Sequence, residues 1–425
     1  MLMLGKAPWQ KYFESDEGKA LLKDLYGETS NAAERYLSIF DGFYTAFGHE
    51  KGAFFSASGR TELSGNHTDH QHGCVLAGAV SVDMVAVVYP RADMKIRFIS
   101  EGYPTTEIEI NELSPIEAEK NTTAALARGV AVGFMEQGYK YGGFDAYAVS
   151  DIPLGSGLSS SAATEMLLGT IQNALYNGGN ADAITLAKIG QYAENKFFGK
   201  PSGLMDQTSI ALGGVSFIDF SGEEPKYERF DIDFHTLGWE ICVVNAGGSH
   251  DGLTEEYAAI TKDMKAVASF FCKSVLGEVD EAVFFQAIDK LRGKVSDRAI
   301  IRAVHFYEEN ARVLKQFNAL KNGDSEDYRL LMLESGRSSY EYLQNVYPLA
   351  DERERSISLA LCLSEHILSD KGAWRVHGGG FAGTIQALVP LDMLDSYTAQ
   401  MEVVFGVGSV YRLKIRPYGG YCFAG

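Results

Sequence analysis

The chain is short of positive charge. Its 38 lysines and arginines face 56 aspartates and glutamates, a formal net charge of -18 at pH 7. A surface of that sign repels phosphate polyanions at long range, so neither nucleic acid nor an anionic membrane is expected as a partner. A small anion is a different case, because local backbone N–H groups and one metal ion act inside the Debye length. Cysteine is also scarce. Cys74, Cys242, Cys272, Cys362 and Cys422 are far apart, odd in number and form no C-x-x-C pair. That pattern argues against a disulfide framework or a structural zinc site and points to free thiols in a reducing, cytoplasmic setting. Long apolar runs are missing too. The stretch before Lys6 is too short for a signal peptide, and no segment of about 18 apolar residues follows, so no membrane span is expected.

What is present is ordinary globular material, 46% hydrophobic and 22% charged. At 425 residues it exceeds a single compact core, and domains of roughly 100–200 residues make two or three the expected number. Apolar spacing predicts helices over 12–48, strands over 73–90, 95–99 and 107–110, and a helix over 118–137. A strand at 144–149 runs into a Gly/Ser loop, then helices over 160–176 and 181–197 and a strand at 215–220. The polar segment 221–226, where apolar periodicity stops, is the expected domain boundary, giving domains 1–221 and 222–425. Beyond it come a strand at 239–245, four or five helices over 254–368, strands at 374–377 and 384–388, a helix at 391–403 and a last strand at 409–416. This order reads as mixed α+β in two parts, not a regular βαβ series.

Four segments carry chemistry. The first in importance is Pro153-Leu154-Gly155-Ser156-Gly157-Leu158-Ser159-Ser160-Ser161-Ala162-Ala163. It stands between a strand and a helix start. Its glycines let the backbone approach a ligand, and the helix N-terminus favours an anion. Two glycines and three serines exceed what a helix cap needs, so the segment reads as a phosphate loop. No Gly-Lys-Ser/Thr follows, so it is not a Walker A loop. The second is Ser58–Gly73, read as a polar loop before an apolar strand. One Arg, three His and two carboxylates there could hold a polyhydroxylated ligand through charge-assisted hydrogen bonds. The spacing of His67, His70 and His72 matches no defensible metal site. The third, Pro201-Ser202-Gly203-Leu204-Met205-Asp206-Gln207, draws interest because it follows Glu194, on the helix after the phosphate loop. The fourth, His377-Gly378-Gly379-Gly380-Phe381-Ala382-Gly383, fits G-x-G-x-x-G formally. A strand follows it rather than a helix, so it is not a dinucleotide fingerprint. Its four glycines suit close backbone approach to a ligand or to the other domain.

In this order the four segments resemble the galactokinase branch of the superfamily of galactose, homoserine, mevalonate and phosphomevalonate (GHMP) kinases. The likeness spans about residues 50–385. It implies a two-domain α+β fold with the active site in the interdomain cleft, and ATP-dependent phosphorylation of a sugar's anomeric hydroxyl. By the same resemblance Asp206 is the catalytic carboxylate and Arg60 lies beside it. Gly155, Ser156, Gly157, Leu158, Ser159, Ser160, Ser161 and Ala162 hold ATP. Ser161 or Ser160, with Glu194, holds Mg²⁺, which suits hard oxygen ligands. Asn66, His67, Asp69, Gly203 and Asp206 face the sugar. The chain departs from the branch at two positions: Asn66 stands where a sugar-binding Glu is usual, and Glu62 where Asn is usual. Galactose is the expected substrate. Galacturonate or another galactose analogue, and a non-catalytic sugar sensor on the same fold, are the alternatives. The intact serines and Asp206 argue against the sensor, and the first segment against a mevalonate or homoserine kinase.

Overall fold

The computed structural model describes the chain except residues 28–30, 154, 201, 249–252, 350–351 and 424–425. Leu154 of the phosphate loop and Pro201 of the third segment therefore lie outside the described residues.

Among the described residues seven strands precede residue 231: β1 (Ala53–Ser64), β2 (Cys74–Pro90), β3 (Lys95–Ser100), β4 (Thr106–Glu109), β5 (Phe144–Ser150), β6 (Val215–Asp219) and β7 (Lys226–Phe230). Five follow: β8 (Trp239–Gly247), β9 (Ala373–Val376), β10 (Gly383–Pro390), β11 (Val410–Leu413) and β12 (Tyr421–Cys422). The larger sheet runs β12-β1-β2-β5-β3-β4, and β6 branches from β2 with β7 beside it. The smaller sheet runs β11-β8-β10-β9. Within the large sheet, β3 and β5 are parallel and the other pairs antiparallel.

Alternation along β1 and β2 explains why the large sheet is covered on both faces. Phe54, Val85 and Val87 pack against the N-terminal helices Lys6–Glu14, Asp16–Tyr26 and Ala32–Phe47. Their neighbours Phe55, Ala57, Ala86 and Val88 face the helices Thr123–Glu136 and Ser160–Asn177. The small sheet buries Val244, Ile385 and Ala387 against Ser356–Leu368 and Leu394–Phe405. Its other face, through Val243 and Leu388, joins Val313, Phe317 and Met332 in the same apolar cluster that fills the large sheet. Two lobes thus share one continuous core.

Three elements differ from the sequence expectation. Residues 58–64, expected as loop, are the second half of β1, and all twelve of its residues are buried. Polar side chains fill that half, so no apolar alternation announces it. The segment 221–226, expected as a boundary, is the turn of the β6–β7 hairpin, so the large sheet continues past it. The helix expected over 181–197 stops at Ala193 and widens into a π turn, Glu194–Phe198.

Candidate active site

The phosphate loop is clamped between the lobes. From β1, Arg60 N–H donates to Leu158 O at 3.0 Å, and Arg60 Nη1 donates to Gly157 O at 2.7 Å. From the second lobe, Thr384 Oγ1 donates to Ser156 O at 3.1 Å. His377 Nδ1 donates to that same Thr384 hydroxyl at 3.1 Å, while Thr61 Oγ1 donates to His377 Nε2 at 3.0 Å. The network assigns a neutral imidazole. Burial first, then Arg60 and Arg375, push its pKa down to about 3. Gly157 has φ +70°, and a Cβ there would lie 3.1 Å from His377 Nδ1, so this position accepts only glycine without strain.

Past the loop, Ser159 caps the helix Ser160–Asn177 in an unusual way. Its backbone is left-handed, with φ 60°, and its side chain makes no capping bond. Left-handed backbone outside glycine costs about 1–2 kcal/mol and concentrates at functional sites. The Ser159 hydroxyl donates to Asp206 Oδ2 instead. The first N–H groups of the helix keep no side-chain acceptor from the cap, which is the arrangement that receives an anion.

Asp206 sits in the first turn of the helix Met205–Leu212. Arg60 Nε donates to its Oδ1 at 2.8 Å, and Arg60 Nη2 lies 2.6 Å from the same oxygen. Burial raises the Asp206 pKa, but Arg60 and the Ser159 hydroxyl outweigh it and hold the carboxyl below its ordinary range. Asp69 approaches the same space: a Cβ on Gly203 would lie 2.8 Å from Asp69 Oδ2. Burial and the charge of Asp206 raise the Asp69 pKa against the pull of His67 and the His70 N–H.

Asn66 and His67 are brought to the cleft, yet their side chains are engaged inside the protein. Asn66 Nδ2 donates to Glu62 Oε1 at 3.0 Å and to Gly378 O at 2.6 Å. Its Oδ1 accepts from Asn345 Nδ2 at 2.7 Å, and the residue is fully buried. His67 Nε2 donates to Gly379 O at 3.0 Å. Glu62 also pairs with the buried Arg375 at 2.8 Å. Both expected sugar ligands thus serve the junction with the glycine-rich turn.

Ser161 Oγ donates to Glu194 Oε1 at 3.0 Å. Gln207 Nε2 donates to Glu194 Oε2 and to Glu165 Oε2, both at 2.9 Å, so the residue after Asp206 fixes the Glu194 carboxylate. Two neighbouring hard oxygen donors fit Mg²⁺, which usually takes one or two protein oxygens and completes its shell with water and phosphate. No group of three or more His, Cys, Asp and Glu able to hold a metal occurs among the described residues. Beside the serines opens a cavity of about 760 Å³, lined by Phe98, Tyr103, Ile108 and Leu126 and reaching Ser160 and Ser161.

Sequence reasoning gave no role to Thr61 and His377, which lie in its second and fourth segments, and missed Thr384, Asn345 and Tyr257. Tyr257 donates to Gly380 O at 2.9 Å and covers Gly379. These residues are distant in sequence and meet only once the lobes dock. Gln207 could have been found, because it follows Asp206 directly.

Known proteins resemble the stretches of the chain that carry these residues. The family description "GHMP kinases N terminal domain" matches residues 125–214, which contain the phosphate loop, Glu194 and Asp206. That stretch of the chain is thus similar to the N-terminal domain of the GHMP kinases. A second match, the "Galactokinase galactose-binding signature", covers residues 41–90, which contain Arg60, Glu62, Asn66, His67 and Asp69. Among solved structures, galactokinase from Lactococcus lactis, complexed with galactose, superposes with a TM-score of 0.77 at 24% identity, covering 91% of this chain and 99% of that one. Mevalonate kinase from Methanococcus jannaschii gives 0.61 at 15%, covering 85% and 98%. Phosphomevalonate kinase from Streptococcus pneumoniae gives 0.57 at 12%, covering 85% and 99%. At these identities the superpositions establish the fold. No helix among the described residues is long and apolar enough to cross a membrane.

Proposed function

We propose that the chain transfers the γ-phosphoryl group of ATP to the anomeric hydroxyl of D-galactose, giving galactose 1-phosphate and ADP. One observation carries this reading: Arg60, Ser159 and Asp206 converge at the end of a phosphate loop, a few ångströms from Asp69 and Gly203. The apolar cavity beside Ser160 and Ser161 suits the nucleotide base, with the phosphates on the loop and helix N-terminus. The sugar lies between Asp69, Gly203 and Asp206. Its C1 hydroxyl oxygen forms the new P–O bond, the bond from the γ-phosphorus to the β–γ bridging oxygen breaks, and ADP departs. Asp206 orients the hydroxyl and receives its proton. A carboxylate held below its ordinary pKa is a weak base, which suits a loose transition state in which the proton moves late. Arg60 keeps Asp206 ionised and offsets charge developing nearby. Ser161 and Glu194 would hold Mg²⁺, which supplies positive charge to the phosphate oxygens when bound. In this reading the segments from Arg60 to Asp206 provide the sugar and phosphate loops, and residues 377–383 the glycine-rich turn that closes over them.

Galacturonate is a second reading, favoured by Asn66. The branch's usual carboxylate is absent there, and the nearby Glu62 is neutralised by Arg375. ADP release from Mg-ATP, measured with D-galactose and with D-galacturonate at equal concentration, separates the two. Preference for galactose supports the first reading and preference for galacturonate the second. Inactivity on both sinks them together. Asp206→Asn, as a control, is expected to bind sugar but to lose turnover by at least about 100-fold.

A further inference from the structure

Phosphoryl transfer needs positive charge on the transferring group, and the phosphate loop brings none: residues 155–163 contain no Lys or Arg. Arg60 is fully committed. Its Nε and Nη2 hold Asp206 and its Nη1 holds Gly157 O. Lys200 stands at the right place. Its Nζ lies 3.2 Å from Glu194 Oε1, the same oxygen that accepts from Ser161 Oγ at 3.0 Å. The π turn Glu194–Phe198 creates this approach, because the N–H groups of Gly199 and Lys200 both donate to Glu194 O, at 3.0 and 3.2 Å. π turns of this kind frequently mark functional sites. Asn195 then ties down the segment beyond, accepting from Ser202 N–H at 2.7 Å.

A surface ion pair has little worth, typically 0–1 kcal/mol, and would need no such scaffolding. Here the lysine is 58% exposed while the carboxylate is 2% exposed and bonded to the phosphate-loop helix. The ammonium is therefore free to swing, and a cation bound by Ser161 and Glu194 competes with it for one oxygen. Its charge also reaches Asp206, where it adds to the pull of Arg60.

We propose that Lys200 is the side chain that binds the terminal phosphate of the nucleotide. The proposal rests on the kinase reading above and adds a phosphate ligand to it. Affinities of the sugar-free protein for Mg-ATP and Mg-ADP, measured by calorimetry, test it in Lys200→Gln and Lys200→Arg. Lys200→Gln is expected to weaken ATP binding about tenfold or more, the usual loss for a charge-assisted hydrogen bond, and to change ADP binding less than about twofold. Lys200→Arg is expected to restore most of the loss. Steady-state kinetics should show kcat/KM for ATP falling in parallel with KM for the sugar unchanged. Equal loss for ATP and ADP, or loss for neither, overturns the assignment. Wild-type protein that binds no nucleotide overturns the kinase reading with it.

Discussion

A carboxylate at the fully buried position 66 would meet the Glu62 carboxylate and the carbonyl of Gly378, which the Asn66 amide contacts at 3.0 and 2.6 Å. The two departures from the galactokinase branch, Glu62 and Asn66, therefore form one unit with Arg375 and Asn345. Asn66→Glu alone is expected to destabilise the protein by about 3 kcal/mol or more, the range for an uncompensated buried charge. Glu62→Asn alone leaves Arg375 without its carboxylate and is expected to cost a similar amount. The double variant Glu62→Asn/Asn66→Glu moves the charge four residues along and keeps one carboxylate for Arg375. It should be less destabilised than the sum of the singles by about 1–3 kcal/mol. Denaturant unfolding of all four proteins measures this coupling, and additive losses would show that the positions act independently. Sugar preference is then worth comparing in the double variant, where folding is preserved. At this scale the sequence singled out Asp206, Arg60, Asp69 and Glu194, which the fold brings to one neighbourhood, because short motifs name their own residues. It could not reveal that Asn66 and His67 are saturated, since their partners lie about 280–310 positions away.

At the scale of elements, most helices and β6 were legible from apolar spacing, while β1 and β7 were not. β1 is buried on both faces, and Ser56, Arg60, Thr61 and Glu62 bond polar side chains or backbone instead of packing in an apolar core. β7 lies almost wholly on the surface, with a burial pattern that lacks the alternation of a half-buried strand. The element that follows the π turn has its own consequence. The chain from Lys200 to Met205 delivers Gly203 against Asp69, and only a missing side chain permits the contact. Gly203→Ala is expected to push the Asp69 carboxylate aside while leaving the helix Met205–Leu212 in place. KM for the sugar should rise about tenfold, and affinity for Mg-ATP should not change. Unaltered sugar KM would remove Gly203 and Asp69 from the sugar pocket.

The whole molecule is held together by a polar seam across its shared core. His377 links Thr61 of β1 to Thr384 of β10, and through it to the phosphate loop. His305 donates to Asn66 O at 2.9 Å, and His70 faces His67. Burial drives all three pKa values down, His70 and His377 to about 3 and His305 to about 4. The unfolded chain titrates these groups near 6.5. Between that value and the folded one, the unfolded state takes up protons that the folded state refuses. Their contribution to stability is therefore complete above about pH 6.5 and drains as the pH falls. Glu165 and Asp69, raised by burial, act in the opposite direction, so the net curve of the wild type does not isolate the histidines. A difference does. His377→Gln can still accept from Thr61 and donate to Thr384 but cannot titrate, and the carboxylates cancel between the two proteins. From pH 7 to pH 5 the wild type is expected to lose about 2 kcal/mol more than His377→Gln, at about 1.4 kcal/mol per unit below the unfolded pKa. Urea unfolding at the two pH values gives both numbers. An identical pH response would mean that folding leaves the His377 pKa unchanged, and that burial of a neutral relay does not govern its titration.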